Sequence, residues 1–320
     1  MREGRAVTIA TVCYLPRAMA RHFLTLLDLS AAELASLIAR ARVLKRLRGT
    51  ADHPRPLAGK SVAIILEKSS TRTRVSFEVG VHELGALPVT LIARDTQLGR
   101  GEPLEDTAKM LNGYVHAAVY RTFGHERVQA LANAASIPII NGLSDTYHPC
   151  QLLADLQAMD EAFGALNGLR VAWIGDGNNM AHSWINAAAR TGIEVTLACP
   201  AAYAPSAKIV EHARSLGAKV EVVTSPAEAA NGAHVVTTDV WASMGQEEEA
   251  RDRQRAFEGF IVDDALMALA DPKAIFLHCL PAHRGEEVSA TVIDGKQSHV
   301  WNEAENRLHA QKALLELLVG

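Results

Sequence analysis

Two series of short β-branched runs, each run followed by a stretch of apolar residues at helical spacing, constrain this chain more than any other feature. Such alternation is the pattern of βα units wound around largely parallel sheets. The first series places strands at Ser61 to Glu67, Leu87 to Ala93, Ala117 to Arg121 and Ile137 to Gly142. The second places them at Arg170 to Gly175, Glu194 to Cys199, Lys219 to Thr224, Val235 to Asp239 and Ala274 to Leu280. Between the series, the turn-rich Gly164-Ala165-Leu166-Asn167-Gly168 reads as a boundary. A chain of 320 residues exceeds what one core usually serves. The expectation is therefore an α/β protein of two domains, each a mainly parallel sheet flanked by helices, joined by interdomain helices. Its segments would be an extension over 1–20, a first domain over 21–148, a connecting helix over 149–163, a second domain over 164–303, and a C-terminal helix over 304–320 returning to the first domain. Pro149 suits a first helical position, and Leu152, Leu153 and Leu156 mark one apolar face of the connecting helix. The last helix carries Ala304, Leu308, Leu315 and Leu318, with Gln311 interrupting the stripe.

Charge narrows the function. A net charge of -4 gives no broad basic field for nucleic acid, so an anion would have to be gripped by a few placed arginines. Cys13, Cys150, Cys199 and Cys279 form no C-x-x-C pair, which fits reduced thiols in a cytoplasmic setting. Arg2 and Arg5 precede the apolar run Ala6 to Leu15 in the outline of a leader peptide, but Thr8, Thr11 and Pro16 break it. With Glu3 its single acid, the segment equally suits a mitochondrial matrix signal, if the host has mitochondria, or a loose extension. No apolar stretch of roughly 18 residues follows to span a membrane.

Five clusters sit at predicted strand ends, where α/β sheets present their ligands. Ser69-Ser70-Thr71-Arg72-Thr73-Arg74 precedes a helix carrying Val75, Val79 and Leu84. A helix N-terminus with free N–H groups, hydroxyl donors and forked guanidiniums is an anion trap, although a capped helix start with solvated arginines has the same letters. His148-Pro149-Cys150-Gln151 opens the connecting helix, where a histidine and an amide can point into a cleft or merely cap the helix. Gly175-Asp176-Gly177-Asn178-Asn179 resembles a dinucleotide-binding turn, but Met180 stands where the third glycine belongs, so a nicotinamide cofactor is poorly supported. Its asparagines suit a small carboxylate instead. Asp239 with Trp241-Ala242-Ser243-Met244-Gly245-Gln246 offers a carboxylate for an ammonium group. His278-Cys279-Leu280-Pro281 offers a thiol as ligand, base or nucleophile, although a single cysteine is more often a small buried hydrophobe. Neither His278 with Cys279 nor His148 with Cys150 has paired zinc-ligand spacing, so no metal is expected.

In this order the clusters resemble the aspartate/ornithine carbamoyltransferase family, from about Arg21-His22-Phe23-Leu24 through Glu303-Ala304-Glu305-Asn306-Arg307 to the C-terminus. The Ser-Met-Gly loop and Cys279 look like its ornithine branch. The resemblance implies transfer of a carbamoyl group from carbamoyl phosphate to the side-chain amine of ornithine, without metal or organic cofactor. It implies that Ser70, Thr71, Arg72 and Thr73 hold carbamoyl phosphate, with Arg121, His148 and Gln151 at its carbamoyl end, joined by Cys279, Leu280 and Arg307. Gln97 would reach into a neighbouring subunit's site in a homotrimer. Asn179, Asp239, Ser243 and Met244 would hold ornithine, with Arg121, His148 and Cys279 as catalytic groups. Rival readings are a carbamoyltransferase for putrescine or N-acetylornithine, a catalytically silent oligomeric member, and a nucleotide-binding oxidoreductase.

Overall fold

A computed structural model describes residues 20–241 and 250–320, so the segment before residue 20, Ser243 and Met244 lie outside the described residues. The first half runs α1 (Ala31–Leu47), β1 (Ser61–Leu66), α2 (Thr71–Glu83), β2 (Leu87–Ile92), α3 (Leu104–Tyr114), β3 (Ala117–Arg121), α4 (His125–Ala134), β4 (Ile139–Leu143) and α5 (Pro149–Phe163). The second continues with β5 (Arg170–Ile174), α6 (Asn179–Thr191), β6 (Glu194–Ala198), α7 (Ala207–Ser215), β7 (Lys219–Val223), α8 (Pro226–Ala230) and β8 (Val235–Thr238). It ends with α9 (Ala250–Ala256), α10 (Asp264–Met267), β9 (Ile275–His278), α11 (Ala290–Ile293) and α12 (Val300–Val319).

The strands form a four-stranded sheet, ordered β2-β1-β3-β4, and a five-stranded sheet, ordered β7-β6-β5-β8-β9. All the pairings are parallel. Their run-like apolar sequences follow from burial on both faces. Along β1, Val62, Ile64 and Leu66 enter the central core while Ala63 and Ile65 enter the outer one, the two-residue period of a strand. β5 does the same with Val171 and Trp173 against Ala172 and Ile174. The central core runs unbroken from the first sheet to the second through α1, α5, α6 and α12.

α5 has Pro149 in its first turn and ends at Gly164, whose φ of 78° suits a residue without Cβ. Residues 149–159 of this helix are all buried, more than its single apolar face predicts, because α12, α1 and α6 pack around it. α12 begins at Val300, ahead of the expected Ala304, and packs mainly on α1, α5 and α2. Gln311 does not interrupt its apolar stripe at a wet surface: it is fully buried, as is Lys312, whose Nζ donates to Glu83 Oε2 at 2.6 Å. α2 turns a polar residue inward. Its inward face is Thr73, Phe77, Gly80 and Val81, with Leu84 just beyond, whereas Val75 is 52% exposed and Val79 only partly buried. The choice follows the three-to-four residue period from the buried Thr73. No helix among the described residues is long and apolar enough to cross a membrane.

Candidate active site

In each sheet the strand order reverses direction at one place, and clefts form outside the carboxyl ends of the strands there. In the first sheet this place lies between β1 and β3, whose ends lead to Ser70 and Arg121. In the second it lies between β5 and β8, whose ends lead to Asn178 and Asp239.

On the first side, Ser70 caps α2 by accepting from the Thr73 N–H at 3.2 Å. Thr73 is fully buried, and its hydroxyl accepts from Arg121 Nη1 at 3.2 Å and from Arg307 Nη2 at 3.3 Å. Thr71 is exposed and Arg72 partly buried at the open end of the same turn. Arg74 instead faces outward and pairs with Glu78 at 2.9 Å. Behind the loop, Glu67 is held by Tyr120, Thr122 and Arg127. Arg307, 3% exposed on α12, also donates to Gln151 Oε1 at 2.6 Å. His148 is anchored by its backbone N–H on Ser183 Oγ at 2.8 Å, and its Nδ1 is buried without a partner.

This is a cluster of positive charge held out of water. Burial, then Arg307, Arg121 and Arg72, hold the His148 imidazole well below its usual 6.5. Burial, then Arg307 and Arg72, bring Arg121 down to about 10. Such a cluster suits an anion, and a phosphate dianion has the charge and the acceptor oxygens to satisfy it.

On the second side, Gly177 has the chain so close that a Cβ there would lie 2.2 Å from Pro205 N. Asn178 caps α6, its Oδ1 accepting from Met180 and Ala181, while its Nδ2 donates to Asp239 Oδ2 at 3.1 Å. Asn179 Nδ2 crosses to the first side and donates to the Ser144 carbonyl at 2.8 Å. Cys279 Sγ donates to Asp239 Oδ1 at 3.2 Å. Burial, reinforced by that carboxylate, holds Cys279 well above 9, so the group is a thiol at neutral pH. β9 stops at His278, short of the expected Leu280, because the chain folds back: Leu280, at φ 57°, donates its N–H to His278 Nδ1 at 2.9 Å. That places the His278 proton on Nε2, facing Glu287 Oε1 at 3.2 Å. Asp239, His278 and Cys279 are near enough together to suggest a metal site, but both ring nitrogens of His278 are committed within the protein.

Arg72, Arg121, His148 and Arg307 thus lie within electrostatic reach of one another, and Arg121 and Arg307 within reach of Cys279, with Gln151 in direct contact with Arg307 and Asp239 with Cys279. Gln97 does not join them within the chain; with Arg100, Glu102 and Met110 it lines a separate cavity of about 560 Å³ under β2. Asp155 and Glu303, neither expected in the site, also touch the cluster, as does Asn178, whose turn was expected to hold a small carboxylate. Asp155 had a legible signal, an acid three residues after Leu152 on the apolar face of α5.

A model of the aspartate/ornithine carbamoyltransferase carbamoyl-phosphate binding domain matches residues 21–161, and one of the Asp/Orn binding domain matches residues 167–318. The ornithine carbamoyltransferase of Hydrogenovibrio crunogenus is 52% identical over 300 residues, 94% of this chain and 98% of that protein. That of Acidothermus cellulolyticus is 55% identical over 306 residues, 94% of this chain and 97% of that protein. The solved ornithine carbamoyltransferase of Pyrococcus furiosus superposes with a TM-score of 0.90 at 45% identity, covering 94% of this chain and 98% of that one. The chain belongs to the aspartate/ornithine carbamoyltransferase family.

Proposed function

We propose that the chain transfers the carbamoyl group of carbamoyl phosphate to the δ-amine of L-ornithine, giving L-citrulline and phosphate in the direction of arginine biosynthesis. One observation carries the reading: Arg121 and Arg307, with Arg72 and a neutral His148 beside them, face an Asp239–Cys279 pair from the opposite sheet. The names of the relatives, ornithine carbamoyltransferases, support the choice of amine.

Carbamoyl phosphate sits with its phosphate at Ser70, Thr71, Arg72 and Thr73 on the N-terminus of α2, and its carbamoyl end at Arg121, His148, Gln151, Leu280 and Arg307. Attack by the amine develops negative charge on the carbamoyl oxygen and expels phosphate, and preorganised donors stabilise both. Arg121, Thr73 and His148 serve the oxygen. Ornithine is held through its α-amino and carboxylate groups by Asn179, Asp239, Ser243 and the Met244 backbone, with its δ-amine at Cys279. The δ-amine attacks only after losing a proton, and the thiol, hydrogen-bonded to Asp239 at 3.2 Å, passes it to that carboxylate while staying neutral. The division into a phosphate-binding domain over 21–148 and an ornithine-binding domain over 164–303 lets closure bring the reactants together, with carbamoyl phosphate binding first. Gln97 completes a neighbouring subunit's site in a cytoplasmic homotrimer.

The test is carbamoyl transfer measured in parallel with ornithine, aspartate, putrescine and N-acetylornithine. Ornithine should be carbamoylated fastest by a wide margin. A faster rate with any other amine overturns the assignment.

A further inference from the structure

Two carboxyl groups that the reaction scheme leaves unused stand directly behind the site. Asp155 on α5 and Glu303 on α12 are each 1% exposed. The two hydrogens of one amide serve both: Gln151 Nε2 donates to Asp155 Oδ1 at 2.8 Å and to Glu303 Oε1 at 2.6 Å. A primary amide has two N–H donors and one carbonyl acceptor, so this commitment fixes its flip. Gln151 Oε1 must then face forward, where it accepts from Arg307 Nη1 at 2.6 Å. Through Nη2, Arg307 reaches the Thr73 hydroxyl at 3.3 Å. The second oxygen of Glu303 accepts from the backbone N–H of His278 at 2.9 Å, one residue before Cys279.

Two neighbouring buried carboxyls do not both ionise. Asp155 Oδ2 has no N–H partner, and a proton on Glu303 supplies the missing donor. Burial, then the neighbouring Asp155, pushes Glu303 well above its usual 4.5, while burial lifts Asp155 to about 7 against hydrogen bonds from Gln151 and Glu303. The other charged or titratable groups acting with the pair are Arg307 on α12 and Cys279 beyond β9, while Cys150 on α5 acts on Arg307.

We infer that Asp155 and Glu303 form a positioning pair that holds one proton between them and, through Gln151, aims Arg307 into the site. The inference rests on the proposed reaction only for the identity of the anion that Arg307 meets.

A mutant cycle decides it, read as kcat and KM for carbamoyl phosphate and, without turnover, as the calorimetric Kd of inorganic phosphate. In Asp155→Asn the carboxamide supplies the hydrogen that the shared proton supplied and leaves one negative charge. It should stay within about threefold of the wild type in every readout. Asp155→Ala should lower kcat and weaken phosphate binding by roughly tenfold or more. In a Gln151→Ala background the same Asp155→Ala change should add almost nothing, because the amide through which the pair acts is gone. If Asp155→Ala does not fold, Asp155→Asn with Glu303→Gln, isosteric but uncharged, takes its place with the same expected losses. The inference is overturned if Asp155→Asn is as damaging as Asp155→Ala, or if the loss is undiminished without Gln151. A chain inert toward ornithine counts against the proposed reaction alone, since the phosphate cycle still decides the pair.

Discussion

Replacing Arg121 by methionine should make the unliganded protein more stable while nearly abolishing turnover. Arg121 sits at the end of β3 with its Nε buried and unpartnered, beside Arg307 and Arg72. The fall of its pKa from the usual guanidinium value to about 10 corresponds to about 3 kcal/mol against the charged form. Methionine keeps most of the packing, removes the charge, and forfeits one hydrogen bond to Thr73, whose hydroxyl still accepts from Arg307. The net gain should be roughly 1–3 kcal/mol, as when other buried charges give way to apolar side chains. Urea unfolding followed by the fluorescence of the fully buried Trp173 and Trp184 measures it. Inorganic phosphate should narrow the difference: at about 100 times its Kd it stabilises the wild type by about 2.7 kcal/mol and the variant less. Turnover of Arg121→Met should fall at least about a hundredfold, the loss typical of one preorganised donor. A variant less stable than the wild type in phosphate-free buffer would refute the picture of an uncompensated cationic cluster.

Other consequences are as direct. Lys312 is fully buried against Glu83 at 2.6 Å, so Glu83→Ala should destabilise the protein by about 3–5 kcal/mol in urea titration. Leu153→Ala should cost about 2–5 kcal/mol, because this fully buried side chain lies in the core shared by both sheets. Burial holds His125, His148 and His182 below 6.5 and brings His309 to about 4. The unfolded chain therefore binds more protons than the folded one below pH 6.5. Stability should be intact above that value and fall as pH drops through it; a thermal midpoint unchanged down to about pH 5 contradicts this.

The sheets were legible because parallel strands buried on both faces are written as continuous apolar runs, and β3 and α5 begin and end where the spacing places them. Strand ends were less so: β9 stops early because Leu280 turns back onto His278, a side-chain to backbone bond with no periodic signature. The buried face of α2 has no simple sequence signature for a similar reason. Thr73 is turned inward by guanidiniums from β3 and α12, partners 48 and 234 residues away in sequence, so a polar residue leads the buried face while Val75 is exposed. In the site, Ser70, Arg72, His148, Asp239 and Cys279 announced themselves by position after strands. Glu303 did not, since what distinguishes it is which polar atoms it meets across the fold.

The most direct measurement is a crystal structure of the chain with carbamoyl phosphate and an ornithine analogue carrying a methyl group in place of the δ-amine. The phosphate should lie on the N–H groups of α2 beside Arg72, the carbamoyl oxygen against Arg121, and the analogue's α-amino group against Asp239, its side chain ending beside Cys279. Density for the phosphate away from the α2 N-terminus, or for the analogue away from Asp239, would contradict the account.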